Sequence, residues 1–133
     1  MSDSRGAAAS RTSRWGPVIG WAAVILVLTS WPSPEIDHKL VDGSDKVAHF
    51  GVYFILGVLT WRALAVPRGM KALLAALAAM YVFGLVDEVH QAFIPGRDAS
   101  VFDWMADLLG ATAGLVLAPR LLSLARRRQD LLT

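Results

Sequence analysis

Four long apolar stretches, separated by short polar segments, set the pattern of side chains along this chain. The stretches over 15–31 and 72–86 contain no charged residue. The stretch over 47–61 is interrupted only by His49, and the stretch over 102–119 carries only Asp103 and Asp107. Because a helix that crosses the ~30 Å hydrocarbon core of a bilayer needs about 20 mostly apolar residues, the pattern predicts four membrane-spanning helices. They are expected over residues 15–31, 46–65, 71–93 and 101–124.

The segments outside these helices complete the predicted organisation. We expect a disordered basic tail over 1–14, a four-helix transmembrane domain over 15–124 and a second basic tail over 125–133. The first helix follows three arginines and could also be a signal peptide, but its apolar run is long and lacks a clean small-x-small cleavage site. The predicted fold class is all-α: a polytopic membrane protein whose four helices form a small bundle.

The composition agrees with a membrane protein. Of the 133 residues, 55% are hydrophobic and 18% are charged, whereas an ordinary soluble domain is about 45–50% apolar and about 25% charged. The length allows one domain, and the formal net charge of +2 excludes a basic nucleic-acid binder. The chain contains no cysteine, so disulfides and thiol chemistry are excluded.

The charged residues are divided unevenly between the two ends of the predicted helices. Three basic residues lie in the N-terminal tail, three in the middle connection and four in the C-terminal tail, which makes ten of the thirteen. By the positive-inside rule, both termini and the middle connection are then cytoplasmic. Nine of the eleven acidic residues lie on or near the outer side. This asymmetry predicts a multi-pass protein of the cytoplasmic membrane.

Ionisable groups on three of the predicted helices fall at nearly the same depth. At about 1.5 Å per residue, His49 and Asp107 each lie about 20 Å from the cytoplasmic end of their helix, and Asp87 lies about 24 Å from it. An ionised aspartate in hydrocarbon costs at least about 2.5–3.5 kcal/mol on insertion scales, so these side chains should turn inward and pair. The pattern predicts a polar pocket in the outer half of the bundle, open to the exterior.

Helical periodicity adds neighbours to these three groups. On the third helix, Gly84, Asp87, His90 and Gln91 are expected to share a face, with Glu88 at its flank. The candidate catalytic groups are His49, Asp87, Glu88, His90 and Asp107. The candidate substrate-binding groups are Asp45, Lys46, Tyr53, Gln91, Arg97 and Asp103. Closely set carboxylates and imidazoles transfer protons or bind divalent cations, although the sequence matches no specific metal-binding motif and a cation is not required.

Several of these residues also have simpler structural explanations. Asp45 and Asp103 lie near predicted helix N-termini, where the helix dipole favours an acid, and His49 could be a neutral core histidine. Arg97 could bind a phosphate or carboxylate with its planar fork of donors, or it could form a salt bridge. The acids within reach of such a bridge are Asp98, Asp103 and Glu88.

Gly110 and Gly114 form a G-x-x-x-G pair on the fourth helix. Small residues at this spacing let another helix approach closely. The approaching helix could belong to the same chain or to a second copy, so a homo-oligomer is one of two expectations.

Three segments together resemble a known family. They are Asp45-Lys46-x-x-His49-Phe50-x-x-Tyr53, Gly84-x-x-Asp87-Glu88-x-His90-Gln91-x-Phe93-x-Pro95-Gly96-Arg97, and Asp103-x-x-x-Asp107-x-x-Gly110-x-x-x-Gly114. Their order and spacing resemble the VanZ-like family of small integral membrane proteins. The resemblance implies a multi-pass bacterial membrane protein, and the member that named the family is associated with resistance to the glycopeptide antibiotic teicoplanin. Many members have asparagine where Asp107 stands, which implies a more acidic pocket here.

Three functional hypotheses follow from these residues and from the resemblance. The first is an enzyme that processes a cell-envelope lipid or wall precursor at the outer leaflet. The second is a non-catalytic binder of a lipid head group or a glycopeptide antibiotic. The third is a structural or accessory protein whose polar residues only fix helix packing, although interhelical hydrogen bonds contribute just about 0.6–2 kcal/mol each. The expected partners are the bilayer and such an envelope ligand, with no nucleic acid.

Overall fold

The computed structural model describes residues 3–32, 43–64 and 69–132, with side chains from residue 13 onward in the first range. Within these ranges the chain forms four α-helices and no strand, which confirms the all-α class. The helices are α1 (Asp3–Thr29), α2 (Ser44–Ala63), α3 (Met70–Gln91) and α4 (Val101–Asp130). Two of them, α3 and α4, are long and apolar enough to cross a membrane, and Ser13–Thr29 is a shorter apolar helix.

The N-terminus of α1 and the C-terminus of α4 extend beyond the predicted boundaries. The structure continues α1 back to Asp3 and α4 on to Asp130, so the predicted tails over 1–14 and 125–133 are largely helical. Arginine occurs three times in each segment and alanine three times in residues 1–14, and both residues rank high in helix propensity. A polar segment that leaves the apolar region can therefore remain helical. The predicted features of 33–42 and 65–68, including the charges of the first connection and Arg68, lie outside the described residues.

The helix α2 lies at the centre of the bundle. It packs along much of its length against α4 and also contacts α1, while α3 packs against α4 and barely touches α1. The contact between α2 and α4 is close: a Cβ atom added at Gly110 would overlap the Phe50 carbonyl, and one added at Gly114 would overlap the Phe54 carbonyl. The G-x-x-x-G pair therefore serves contact within the chain. Gly57 makes the same kind of approach from α2, toward Ala111.

The outside of the bundle is apolar over all four helices. Large hydrophobic side chains are exposed at positions such as Ile19, Ile55, Val86 and Leu109, whereas the buried hydrophobic core is small. Monomeric soluble proteins rarely expose contiguous apolar surface of this extent. A bundle with helical backbone hydrogen bonds inside and apolar side chains outside is suited to lipid.

A tight turn joins α3 to the segment that precedes α4. The Arg97 amide donates to the Ile94 carbonyl at 3.1 Å, and Gly96 has a φ of 77°. Proline at the second position and a positive φ at the third define a type II turn. Because side chains with a Cβ rarely adopt this φ, Gly96 is needed to direct Arg97 back over the end of the bundle.

Candidate functional site

Most of the candidate residues lie at one end of the bundle, where α1 and α3 end and α2 and α4 begin. We call this the acidic end. Here His49 Nδ1 lies 3.0 Å from Asp107 Oδ1 and 3.8 Å from Glu88 Oε1. All three side chains are buried, with residue exposures of 5%, 1% and 4%. The structure therefore joins groups from α2, α3 and α4 in one place, which we call the histidine cluster.

The histidine cluster reaches the surface through the first turn of α2. Asp45 Oδ1 lies 4.0 Å from His49 Nε2, and the Asp45 side chain is 54% exposed. Lys46 Nζ lies 3.6 Å from Asp103 Oδ1. The exterior pocket predicted from the sequence is here a set of side chains in mutual contact, and Asp45 and Lys46 form its edge with solvent.

Backbone groups of the α3–α4 connection hold the acids in place. The Ser100 amide donates to Glu88 Oε2 at 2.8 Å, and Gln91 Nε2 donates to Glu88 Oε1 at 3.4 Å. Ser100 is also the N-cap of α4, because its hydroxyl accepts from the Asp103 amide at 3.3 Å. These contacts tie the start of α4 to the end of α3, the helix that carries Glu88.

Asp87 belongs to a second group, which we call the Asp87 cluster. Its carboxylate accepts from the Thr29 hydroxyl at 2.7 Å and from the Tyr53 hydroxyl at 3.2 Å. Asp87 is 0% exposed. The Thr29 hydroxyl also lies 3.0 Å from the Ile25 carbonyl. Thr29 is not among the candidates predicted from the sequence; its signal there is a hydroxyl residue near the end of an otherwise apolar stretch.

Among the described residues, Arg97 forms none of the predicted salt bridges with Asp98, Asp103 or Glu88. Its guanidinium donates to the Trp31 carbonyl at 3.0 Å, to the Leu28 carbonyl at 3.3 Å and to Gln91 Oε1 at 3.2 Å. The last carbonyls of a helix have no intrahelical donor and lie at the negative end of its dipole. Arg97 therefore caps the C-terminus of α1 and holds that end of the helix against the acidic end.

His90 lies outside both clusters in the part of the chain that the structure describes. At about 100° per residue, the buried residues Asp87, Gln91, Gly84 and Glu88 span an arc of about 100° on α3, and His90 lies about 60° beyond its Asp87 edge. Its Nδ1 atom is buried without a hydrogen-bond partner. In the structure, Glu88 therefore lies on the buried face of α3 and His90 lies at its flank, which is the reverse of the prediction. The centre of this buried face lies between Gln91 and Gly84.

The acidic end holds more buried negative charge than its contacts neutralise. Four acids are buried there, namely Asp87, Glu88, Asp103 and Asp107. One oxygen of Asp107, Oδ2, is buried and accepts no hydrogen bond from any described residue. Buried carboxylates require partners that offset the cost of leaving water. Two groups have geometry that could hold a cation: Asp45 with His49 and Asp103, and His49 with Glu88 and Asp107.

An apolar cavity, which is not predicted from the sequence, lies beside the Asp87 cluster. Its volume is about 180 Å³, and α1, α2 and α3 line it with residues that include Ala22, Leu56, Thr60, Met80 and Phe83. The Phe83 ring is 5.9 Å from the ring of Tyr53, centroid to centroid. The Tyr53 hydroxyl bonds to Asp87. Tyr53 therefore connects the Asp87 cluster to Phe83, which lines the apolar cavity.

Comparison with known proteins gives two matches. The family described as VanZ/LLP1 matches this chain over residues 10–123. An uncharacterized protein of the fission yeast Schizosaccharomyces pombe, C11E3.10, is 34% identical over 74 residues, which are 56% of this chain and 46% of that relative. The match thus covers about half of the yeast protein. No solved structure matches the chain.

Proposed function

This chain belongs to the VanZ-like family, and from that premise we propose that it is a multi-pass membrane protein that binds a cell-envelope lipid. The polar head group of the lipid lies at the acidic end, and part of its hydrocarbon chain lies in the apolar cavity. Binding, rather than turnover, is the function that the geometry favours, because donors such as Thr29, Ser100 and His49 engage the buried acids and no nucleophile is activated among the described residues of the acidic end.

The orientation forms part of this proposal. Described basic residues lie at the end of the bundle opposite the acidic end, among them Arg14, Arg62, Lys71 and Arg120. The positive-inside rule assigns that end to the cytoplasm, so the acidic end faces the exterior. The natural absence of cysteine allows a direct test with single cysteines. We expect an impermeant maleimide to label Asp98→Cys on intact cells, and to label Arg127→Cys only after permeabilisation; the opposite pattern contradicts the orientation.

The observation that carries the lipid proposal is the contact between Tyr53 and Phe83. On one side of it lies the Asp87 cluster, and on the other lies the apolar cavity. A dry apolar cavity of about 150 Å³ in another protein binds small hydrocarbons, so a cavity of about 180 Å³ has room for a short segment of a lipid chain. Ala79, which lines the cavity, is exposed on the lipid-facing surface of α3, and this gives the chain a path of entry.

The comparisons favour a lipid over a glycopeptide antibiotic. A similar protein is present in a yeast, so we favour a ligand that membranes of different organisms share. Resistance to teicoplanin would then be a consequence of altered envelope lipids in some members. In this chain, that role is a secondary proposal and depends on the lipid site.

Two neighbouring alanines of α1 supply a matched test. Ala22 lines the cavity, whereas Ala23 is exposed on the outside of α1. We expect the purified protein to retain lipid through detergent exchange, detected by native mass spectrometry. Ala22→Phe fills the cavity and should lose that lipid, while Ala23→Phe should keep it.

The same experiment can overturn the proposal. Equal lipid retention by both phenylalanine variants would mean that the cavity is not the binding site. A wild-type protein that keeps no lipid would favour the remaining alternative, in which the polar residues only fix helix packing. Circular dichroism of both variants checks that their helical content is unchanged.

A further inference from the structure

We propose that the histidine cluster is a binding site for a divalent metal ion of the Zn²⁺ type, held by His49 Nδ1, Glu88 and Asp107. Such a site does not depend on the lipid proposal, because the apolar cavity and the Asp87 cluster supply none of its ligands. It gives the family-like polar residues of α2, α3 and α4 a specific chemical role.

The distances among the three side chains fit a small cation. A tetrahedral ion with bonds of about 2.0–2.1 Å places its ligand atoms about 3.4 Å from one another. His49 Nδ1 lies 3.0 Å from Asp107 Oδ1 and 3.8 Å from Glu88 Oε1, and the potential ligand atoms of the group lie within 4.8 Å of one another. Changes of about 0.4 Å would bring both distances from His49 Nδ1 to this spacing.

The unpartnered oxygen of Asp107 is an independent observation that points to a ligand. Asp107 is 1% exposed, and its Oδ2 atom accepts no hydrogen bond among the described residues. A Cβ added at Gly84 would lie 3.5 Å from this oxygen, so Oδ2 faces α3. Glu88 leaves α3 one turn further along. The free carboxylate oxygen thus faces the helix that carries Glu88.

The charge balance favours a metal ion over hydrogen bonds alone. Two carboxylates with one neutral imidazole carry a charge of −2, which a divalent ion cancels. A protonated His49 cancels only half of that charge. On the far side of the ring, Asp45 Oδ1 lies 4.0 Å from Nε2, and metal-bound histidines commonly direct their second nitrogen to a carboxylate.

The ligand set also indicates the kind of ion. Imidazole suits Zn²⁺ and related transition metals, whereas Mg²⁺ and Ca²⁺ prefer sites made of oxygen ligands alone. Three protein ligands leave the fourth position of a tetrahedral ion open, as in catalytic zinc sites. When the ion binds, any proton that His49 Nδ1 shares with Asp107 is released to solvent.

The direct test uses the wild-type chain, purified in detergent with a tag that contains no histidine. After chelator treatment and dialysis, the protein is titrated with Co²⁺ and with Zn²⁺. We expect one equivalent of Co²⁺ to produce the visible absorption bands of a tetrahedral site, and Zn²⁺ to displace it. Absence of these bands at one equivalent, together with no bound zinc by elemental analysis, would overturn the proposal without recourse to any variant.

Matched variants then locate the site. His49→Ala removes a proposed ligand, and His90→Ala removes a histidine outside the cluster; Asp107→Asn and the exposed Asp98→Asn form a second pair. We expect the two cluster variants to bind Zn²⁺ at least tenfold more weakly and the two controls to bind it as the wild type does. Equal affinity in both members of either pair would place the metal elsewhere and refute the assignment.

Lipid retention separates this inference from the proposed function. If the metal ion binds as expected while Ala22→Phe and Ala23→Phe retain lipid equally, only the lipid proposal fails. If lipid retention depends on Ala22 while no metal ion binds, only the metal proposal fails.

Discussion

Two glycines of α2 allow the close contact between α2 and α4 to be tested within one helix. An alanine at Gly51 would meet nothing within 4 Å, whereas an alanine at Gly57 would overlap the Ala111 carbonyl and lie 2.8 Å from the Leu115 amide nitrogen. The chemical change is the same at both positions, so any difference in stability between Gly51→Ala and Gly57→Ala reports the packing of the two helices.

The structure sets the expected size of that difference. Replacing a helical glycine by alanine stabilises a helix by about 0.5–1 kcal/mol, and this is the whole expected effect at Gly51. At Gly57 the helices must separate by at least 0.6 Å, the difference between 2.8 Å and an ordinary contact of 3.4 Å. A gap of about 0.5–1 Å forfeits a quarter to a half of the dispersion attraction, and overpacking typically costs about 1–3 kcal/mol.

The assay is reversible unfolding in detergent micelles, followed by the circular dichroism of the helices. We expect Gly51→Ala to raise the free energy of unfolding by about 0.5–1 kcal/mol and Gly57→Ala to lower it by about 1–2 kcal/mol after its own helix gain. If Gly57→Ala is as stable as Gly51→Ala, the close approach of α2 and α4 does not exist as described. Weaker Zn²⁺ binding by Gly57→Ala would show that this approach also positions His49 opposite Asp107.

Three further predictions concern the acidic end. Thr29→Val removes a donor to the buried carboxylate of Asp87 and should lower the free energy of unfolding by about 1–2 kcal/mol; Thr29→Ser, which keeps the hydroxyl, should lose clearly less in the same micelle assay. Gly96→Ala places a Cβ at a φ of 77° and should cost about 1–2 kcal/mol, whereas an unchanged unfolding midpoint would contradict the turn assignment. Arg97→Lys replaces the planar guanidinium by a single ammonium group. We expect faster hydrogen–deuterium exchange in the last turn of α1, with little change at the end of the bundle opposite the acidic end. Equal exchange in the variant and the wild type would mean that Arg97 does not hold α1.

The two clusters divide the acidic end between different helices. The Asp87 cluster and Arg97 attach α1 to the rest of the bundle, through Thr29 and through the last carbonyls of that helix. The histidine cluster instead joins α2, α3 and α4. Loss of α1 contacts should therefore affect lipid retention more than metal binding.

Features that depend on one helix at a time were accessible from the sequence. The four apolar runs predicted four helices. The predicted boundaries from the end of the first helix to the start of the fourth agree with the structure to within about two residues, because apolar runs and turn residues act locally. The rise per residue placed His49 and Asp107 at equal depth, and the structure brings them to 3.0 Å. The predicted tails were less accurate, because a polar composition does not exclude a helix.

Features that depend on how helices face one another required the tertiary structure. A rotation of α3 by about 50°, half of the ~100° between consecutive residues, decides whether Glu88 or His90 enters the bundle. The apolar pattern of the sequence is compatible with either rotation. Asp87 and Arg97 each have a partner on α1, the Thr29 hydroxyl and the Leu28 carbonyl, which lie more than fifty positions away in the chain. The apolar cavity lies among α1, α2 and α3, where α1 packs against α2, α3 packs against α4, and α1 and α3 barely touch each other. The periodicity of one helix limits which side chains point inward, but only the packing of several helices determines which of them meet.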